Sequence, residues 1–214
     1  MTAIHHPDPS SLMSYAAGSL PESIAMVIAC HLSSCEHCRK AVSDAEDVGR
    51  TLLEQLEPVT MSDGARDNML AMLDNVAPEP FQSSPVKAVG NVPAPLQPML
   101  GEDLNKLHWR TMAPGMKQFI IPAPEGKLRL LKIAPGTSMP KHSHTGSELT
   151  LVLQGSYSDE LGRFRAGDIA DLDGDISHQP MVDTHEDCIC LIATDAPLKF
   201  TGLIPRLLQP FFDL

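Results

Sequence analysis

Residues 136–155, GTSMPKHSHTGSELTLVLQG, decide the fold of the C-terminal half of this chain. His142 and His144 are one residue apart, and alternate side chains of a strand share a face, so their imidazoles should lie side by side. Glu148 follows a glycine-containing turn that returns the chain to the same side. Two imidazoles and a carboxylate that converge in this way predict a metal site, with room for a fourth ligand from a neighbouring strand.

This spacing resembles the first motif of the cupin family. Five residues separate Gly136 from His142, one separates the two histidines, three separate His144 from Glu148, and six separate Glu148 from Gly155. The resemblance implies that the C-terminal half is an all-β cupin barrel that holds a metal. Such ligands suit zinc, iron, manganese or nickel, and ligand type alone does not choose among them; we predict zinc.

A second stretch resembles the second cupin motif, in which His178 follows Gly167 by eleven residues. The resemblance implies that His178 is the fourth ligand. The sequence departs from the motif at Asp173, Asp175 and Val182, where the family usually has Pro, Gly and Asn. We expect these departures to change the turn within the motif and the shape of the metal pocket, but they leave the predicted ligand His178 unchanged.

Short apolar runs between Gly and Pro residues surround both motifs, and we expect each run to form a strand. They lie at residues 116–122, 127–134, 148–153, 163–172 and 188–194. Cys188 and Cys190 alternate on the last run, and we interpret them as small core residues because Cys is commonly buried.

The chain divides at a proline-rich segment. Residues 77–98 contain six prolines without helical or strand periodicity, which predicts an extended linker. The predicted domains are therefore residues 1–76 and residues 99–214. The first is expected to be an all-α bundle of about four helices, because apolar residues recur there at three- and four-residue spacing.

A second metal site is predicted in the helical part. His31, Cys35 and Cys38 form an HxxxCxxC pattern at the junction of two predicted helices, and structural zinc prefers four Cys or His ligands. His5 and His6 are the candidates for the fourth ligand, and we choose His6. The alternative is a reduced pair of core cysteines beside a surface histidine.

The HxxxCxxC pattern with an upstream histidine, on a helical bundle, is similar to the zinc-binding anti-sigma domain. Joined to a cupin, it resembles the ChrR family of anti-sigma factors, as do three further stretches: YAAGSL at 15–20, ELTLVLQGSYSDE at 148–160 and CICLIATDAPLKF at 188–200. The resemblance implies a regulator that is not an enzyme. Its helical domain would inhibit an extracytoplasmic-function sigma factor, and its cupin domain would allow release when singlet oxygen or a related oxidant appears.

Composition narrows the remaining function classes. The net charge is −11, and an acidic surface disfavours direct binding to nucleic acid. We see no secretory signal and no apolar run long enough to cross a membrane, and the five cysteines favour metal chemistry over structural disulfides, so we expect a cytoplasmic protein. The alternatives are a cupin dioxygenase or isomerase with a helical accessory domain and, less in keeping with the charge, a zinc-finger DNA binder.

Overall fold

The computed structural model describes residues 3–74, 90–143, 146–172, 176–195 and 199–200. Asp8 begins the first helix by accepting a hydrogen bond from the backbone N–H of Ser10 at 2.8 Å, and Pro9 occupies its first turn. The N-terminal part is all-helical, as predicted. Its helices are α1 Pro9–Ala16, α2 Glu22–Leu32, α3 Glu36–Glu54 and α4 Ala65–Asp74.

The rest of the described chain is mostly strand, as predicted. The strands are β1 Arg110–Ala113, β2 Met116–Ile121, β3 Lys127–Ile133, β4 His142–Ser143, β5 Glu148–Gln154, β6 Ser156–Asp159, β7 Gly162–Arg165, β8 Ile169–Leu172, β9 Ser177–His178, β10 Met181–Val182, β11 Cys188–Thr194 and β12 Lys199–Phe200.

These strands pair antiparallel in three sheets. The largest has the order β1-β2-β3-β11-β5-β8, and the smaller two have the orders β10-β6-β7 and β12-β4-β9. Among the described strands, these pairings do not close a barrel. The β4–β9 pair places His142 directly opposite His178, and the six-stranded sheet ends at β8.

Strands β5 and β11 are buried on both faces because each face packs in a different apolar cluster. Leu151 packs with Val27 of α2 in one apolar cluster. The next residue, Val152, points to the other face and packs with Tyr157 in a second cluster. The alternation of a strand therefore distributes one apolar run between two cores. The helical part and the β part share the first of these cores.

The predicted linker differs from the structure at its C-terminal end. Residues 75–89 lie outside the described residues, but Ala94–Leu96 form a 3-10 turn and Gln97–Leu100 form a short helix, α5. A proline in the first turn of each favours this local helicity, since proline fixes φ near the helical value. Val92 and Leu96 are buried, so this end of the segment is a packed connection and not an extended one.

No helix within the described ranges is long and apolar enough to cross a membrane.

Candidate metal centres

Four side chains of the N-terminal part converge on one point. His31 lies in the last turn of α2, Cys35 caps α3, Cys38 lies in its first turn, and His6 precedes α1. One ligand atom from each lies within 4.8 Å of the others. The structure therefore brings together the four residues that the sequence predicted for this site.

The distances between these atoms suit a tetrahedral ion. The Nδ1 atom of His6 lies 3.5 Å from the Sγ atom of Cys35 and 3.3 Å from that of Cys38, and the Nε2 atom of His31 lies 3.3 Å from the Cys38 sulfur. Sulfur and nitrogen ligands of tetrahedral zinc, at their usual bond lengths, are about 3.5 Å apart. The donor set and its spacing fit zinc.

His31 is oriented by a carbonyl of the β part. Its Nδ1 atom lies 3.0 Å from the backbone oxygen of Gly167. A carbonyl only accepts hydrogen bonds, so Nδ1 carries the proton and Nε2 directs its lone pair at the cysteines. His31 is fully buried and is therefore not the surface histidine of the alternative interpretation.

Burial raises the pKa of the Cys38 thiol, and the neighbouring Cys35 adds to this effect. Desolvation disfavours the charged thiolate of Cys38 as long as no cation lies beside it. Burial also lowers the pKa of His31, which the Gly167 carbonyl opposes. A neutral imidazole is the form that binds a metal, whereas the buried thiolate needs a cation beside it.

A second cluster lies in the β part. His142 of β4, Glu148 of β5 and His178 of β9 are all buried, and one ligand atom from each lies within 4.8 Å of the others. The two histidine Nε2 atoms are 3.1 Å apart. The fourth predicted ligand, His144, lies outside the described residues.

Each of the three side chains has a partner that fixes its orientation. His142 donates from Nδ1 to the carbonyl of Pro140 at 2.9 Å, and the Nδ1 atom of His178 lies 2.8 Å from Oδ2 of Asp159. The hydroxyl of Thr150 donates to Glu148 at 3.2 Å. Partners of this kind are typical of metal-binding histidines, because they leave Nε2 unprotonated and aimed at the ion.

Burial perturbs the ionisation of this cluster. It lowers the pKa of His142 to about 4, against the opposing effect of the Pro140 carbonyl. It raises the pKa of Glu148 to about 7, although His178, Thr150 and Arg129 act in the other direction. A buried carboxyl beside two imidazoles is stabilised in its charged form by a cation, so this donor set also fits a metal ion.

The cluster opens into a small cavity of about 40 Å³. Its walls are mostly apolar, with Tyr157, Cys190 and Arg129 among the lining residues. The sulfur atoms of Cys188 and Cys190 are 3.7 Å apart and buried, as expected for core residues. A cavity needs roughly 10–15 Å³ to hold one water molecule, so this cavity has room for an ion with a few small ligands.

The residues that orient the ligands, Asp159 and Gly167, were not predicted from the sequence. Asp159 lies within a stretch that the family resemblance had already marked, and its position before a turn was the available signal. Gly167 gave no such signal, because its contact with His31 joins residues 136 positions apart.

The chain is similar to known proteins along its full length. The ChrR Cupin-like domain matches residues 98–197. The chain is 43% identical over 215 residues to the anti-sigma-E factor ChrR of Cereibacter sphaeroides, with 100% of both chains covered. It is also similar to a chain in the crystal structure of Rhodobacter sphaeroides SigE in complex with the anti-sigma ChrR, with 41% identity, a TM-score of 0.76, and 90% of this chain and 100% of that chain covered.

Proposed function

The chain belongs to the ChrR family of anti-sigma factors, and we propose on this basis that it binds and inhibits an extracytoplasmic-function sigma factor. The observation that carries the proposal is the 43% identity to an anti-sigma factor over the full length. Membership of this family makes the chain a regulator and not an enzyme. No observation favours the alternative of a cupin dioxygenase or isomerase with a helical accessory domain.

The surface proposed for the sigma factor is the apolar side of the second half of α3. Val48, Leu52 and Leu53 in this half, and Leu56 just beyond the end of the helix, are 56–68% exposed, whereas the buried residues of α3, Cys38 and Val42, belong to its first half. In α4, Met69, Leu70, Met72 and Leu73 are exposed as well, and no residue of that helix is buried. Apolar surface of this extent is typical of a protein-binding site.

We assign a structural zinc ion to His6, His31, Cys35 and Cys38. The zinc would hold the N-terminal segment, α2 and α3 together and so fix the start of the helix that carries the proposed sigma-binding surface. In a module with few buried residues, the free energy of metal binding contributes directly to folding.

We assign a second metal to His142, His144, Glu148 and His178, with zinc as the first candidate. Within the proposal, the cupin domain detects singlet oxygen or a related oxidant, and the sigma factor is then released. The bound cation would keep Glu148 ionised, and the apolar cavity would limit access to small molecules.

The first test is co-expression of the full chain with each extracytoplasmic-function sigma factor of its genome. We expect a one-to-one complex with at least one of them in gel filtration, and loss of transcription from that factor's promoter. If none binds, the proposal is wrong.

Two matched variants locate the surface. Leu52→Glu should weaken the complex about tenfold or more, because it places a charge within an apolar interface. Ser43→Glu should leave affinity unchanged, since nine residues at 3.6 per turn put it on the opposite side of α3. Equal affinity of the two variants would place the interface elsewhere.

Release is tested on the purified complex with a photosensitiser and light. The parent complex should dissociate, and a singlet-oxygen quencher should prevent this. The complex of the full-length His178→Ala variant should persist, because it lacks a proposed cupin ligand. Dissociation of both complexes at one rate would contradict sensing through the cupin domain.

A further inference from the structure

Residues 3–8, which we call the strap, lie along β8 at the edge of the six-stranded sheet. The backbone N–H of Ile169 donates to the carbonyl of His5 at 3.2 Å. The backbone N–H of Asp8 donates to Oδ2 of Asp171 at 2.9 Å. These contacts bracket His6, so the position of this metal-site residue depends on how the strap is attached to the β part.

Asp168, which directly precedes β8, makes the central attachment. Its Oδ1 accepts hydrogen bonds from the backbone N–H groups of Ile4 at 2.6 Å and His5 at 3.1 Å. Its Oδ2 accepts from the backbone N–H of Arg165 at 2.9 Å, which anchors the carboxylate within its own turn. Asp168 is only 2% exposed, and hydrogen bonds to a buried carboxylate are stronger than those between neutral groups.

The same turn contacts a second residue of the N-terminal centre. Gly167, next to Asp168, accepts the hydrogen bond from Nδ1 of His31. Of two consecutive residues of the β part, Gly167 therefore contacts the His31 side chain directly, and Asp168 binds the backbone next to His6.

We propose that Asp168 is a positioning residue for the N-terminal metal centre. Asp168 fixes the strap so that His6 reaches Cys35 and Cys38. A residue of the β part therefore contributes to the metal affinity of a site in the helical part. This inference rests on the proposed metal assignment of that centre and is independent of the sigma partner.

A row of packed rings extends the attachment towards the cupin cavity. The His5 ring lies 4.4 Å from that of Phe164, and Phe164 stacks on Tyr157 at 5.1 Å, centroid to centroid. Tyr157 lines the cavity beside His142, Glu148 and His178. A displacement of Tyr157 would thus be transmitted by direct contact to the residue that precedes His6.

Co²⁺ titration of the full-length, metal-free protein tests the proposal. Thiolate-to-cobalt charge transfer reports only on a site with cysteine ligands, so the cupin cluster does not contribute to this band. Asp168→Asn should weaken Co²⁺ binding at the thiolate site about tenfold to a hundredfold, the usual effect of losing a group that orients a ligand. Asp183→Asn is the matched control, because the partners of Asp183 among the described residues, Ser156, Ser158 and Arg163, all lie in the β part.

A second pair of variants changes the strap and leaves the β part chemically intact. Ile4→Pro removes the N–H that donates to Asp168 and should weaken Co²⁺ binding in the same direction. Ile4→Ala keeps that N–H and removes only a side chain that is 69% exposed, so its affinity should equal that of the parent. If Asp168→Asn does not fold, Ile4→Pro and Ile4→Ala still test whether the contact between the strap and Asp168 affects metal affinity.

The outcomes separate the inference from the proposed function. Parent-like affinity in both Asp168→Asn and Ile4→Pro overturns the role of Asp168. Equal weakening in Asp183→Asn or in Ile4→Ala overturns it as well, because the effect would then not depend on the strap contact. Absence of the charge-transfer band in the parent itself would instead refute the metal assignment.

Discussion

His142 and His178 face each other across the β4–β9 pair, and their Nε2 atoms are 3.1 Å apart. The Nδ1 atoms of both rings are engaged, that of His142 by a carbonyl and that of His178 by a carboxylate. The backbone register of two short strands thus brings together two of the three described residues of the cupin cluster, and the groups behind the rings direct them to one point.

Asp159→Asn should therefore weaken metal binding at the cupin cluster. Loss of the charged acceptor behind His178 should lower the affinity about tenfold to a hundredfold. Competition with a chromophoric zinc chelator measures this, and the cobalt–thiolate band should not change. Asp187→Asn serves as the control, since Asp187 pairs with Lys132 at 3.2 Å; equal affinities in the two variants would show that Asp159 does not orient His178.

Glu148 should make the stability of the metal-free protein depend on pH. Its pKa is raised from 4.5 to about 7 by burial, so between these values the folded state binds more protons than the unfolded state. The contribution of Glu148 to stability is therefore expected to fall as pH rises through this window, by up to about 3 kcal/mol. The lowered pKa of His142 acts in the opposite direction, so the effect of Glu148 is measured as the difference between the parent and a Glu148 variant. Glu148→Gln should be more stable than the parent at pH 8 and similar at pH 4.

Urea unfolding of the metal-free protein, followed by the fluorescence of the single tryptophan, Trp109, measures this effect. When metal is added, the parent should become more stable than Glu148→Gln at pH 8, because the Glu148 carboxylate then has a cation beside it. A parent and variant that differ equally at both pH values would contradict the raised pKa.

Ile28→Ala should destabilise the β part as well as the helices. Ile28 is fully buried in the apolar cluster that includes Leu149 and Leu191, and truncation of such a residue costs about 2–5 kcal/mol. We expect circular dichroism and Trp109 fluorescence to report one common transition at lower urea. Val48→Ala, at an exposed site of α3, should change stability by less than about 0.5 kcal/mol. An unchanged Trp109 transition in Ile28→Ala would mean that the two halves unfold independently.

The two glycines that bound the stretch 136–155 should differ in their tolerance of alanine. Both have positive φ, +69° for Gly136 and +71° for Gly155, which costs an L-residue about 1–2 kcal/mol. A Cβ on Gly136 has nothing within 4 Å, whereas one on Gly155 would lie 2.9 Å from the carbonyl oxygen of Asp187. Gly155→Ala should therefore lose more thermal stability than Gly136→Ala, and an equal loss would show that the Asp187 carbonyl moves away at little cost.

The part of the N-terminal metal centre that depends on local contacts could be predicted from the sequence. His31, Cys35 and Cys38 lie within eight residues, and one helical junction brings them together. The choice between His5 and His6 was harder, because adjacent side chains point in different directions. The structure brings His6 to the cysteines, whereas His5 packs on Phe164 and its Nδ1 atom lies 3.4 Å from Asp168.

The contacts between the two halves could not be predicted in this way. The proline-rich segment indicated a clean division of the chain, yet α2 packs on the β sheet through residues that any amphipathic helix would have. Hydrogen bonds such as Ile4 to Asp168 join residues 164 positions apart and leave no pattern in the sequence. The spacing of apolar residues along a helix predicts that one face is buried, but it does not predict which surface packs against that face.

The attachment of the strap to β8 affects how a separately expressed C-terminal fragment would behave. β8 is an edge strand, and an uncovered edge is a template for pairing with another chain. A fragment that starts at residue 99 would lose the strap from that edge and α2 from the apolar side of β5 and β11. Such a fragment is expected to self-associate, and its behaviour would then describe an aggregate instead of the isolated sensor half.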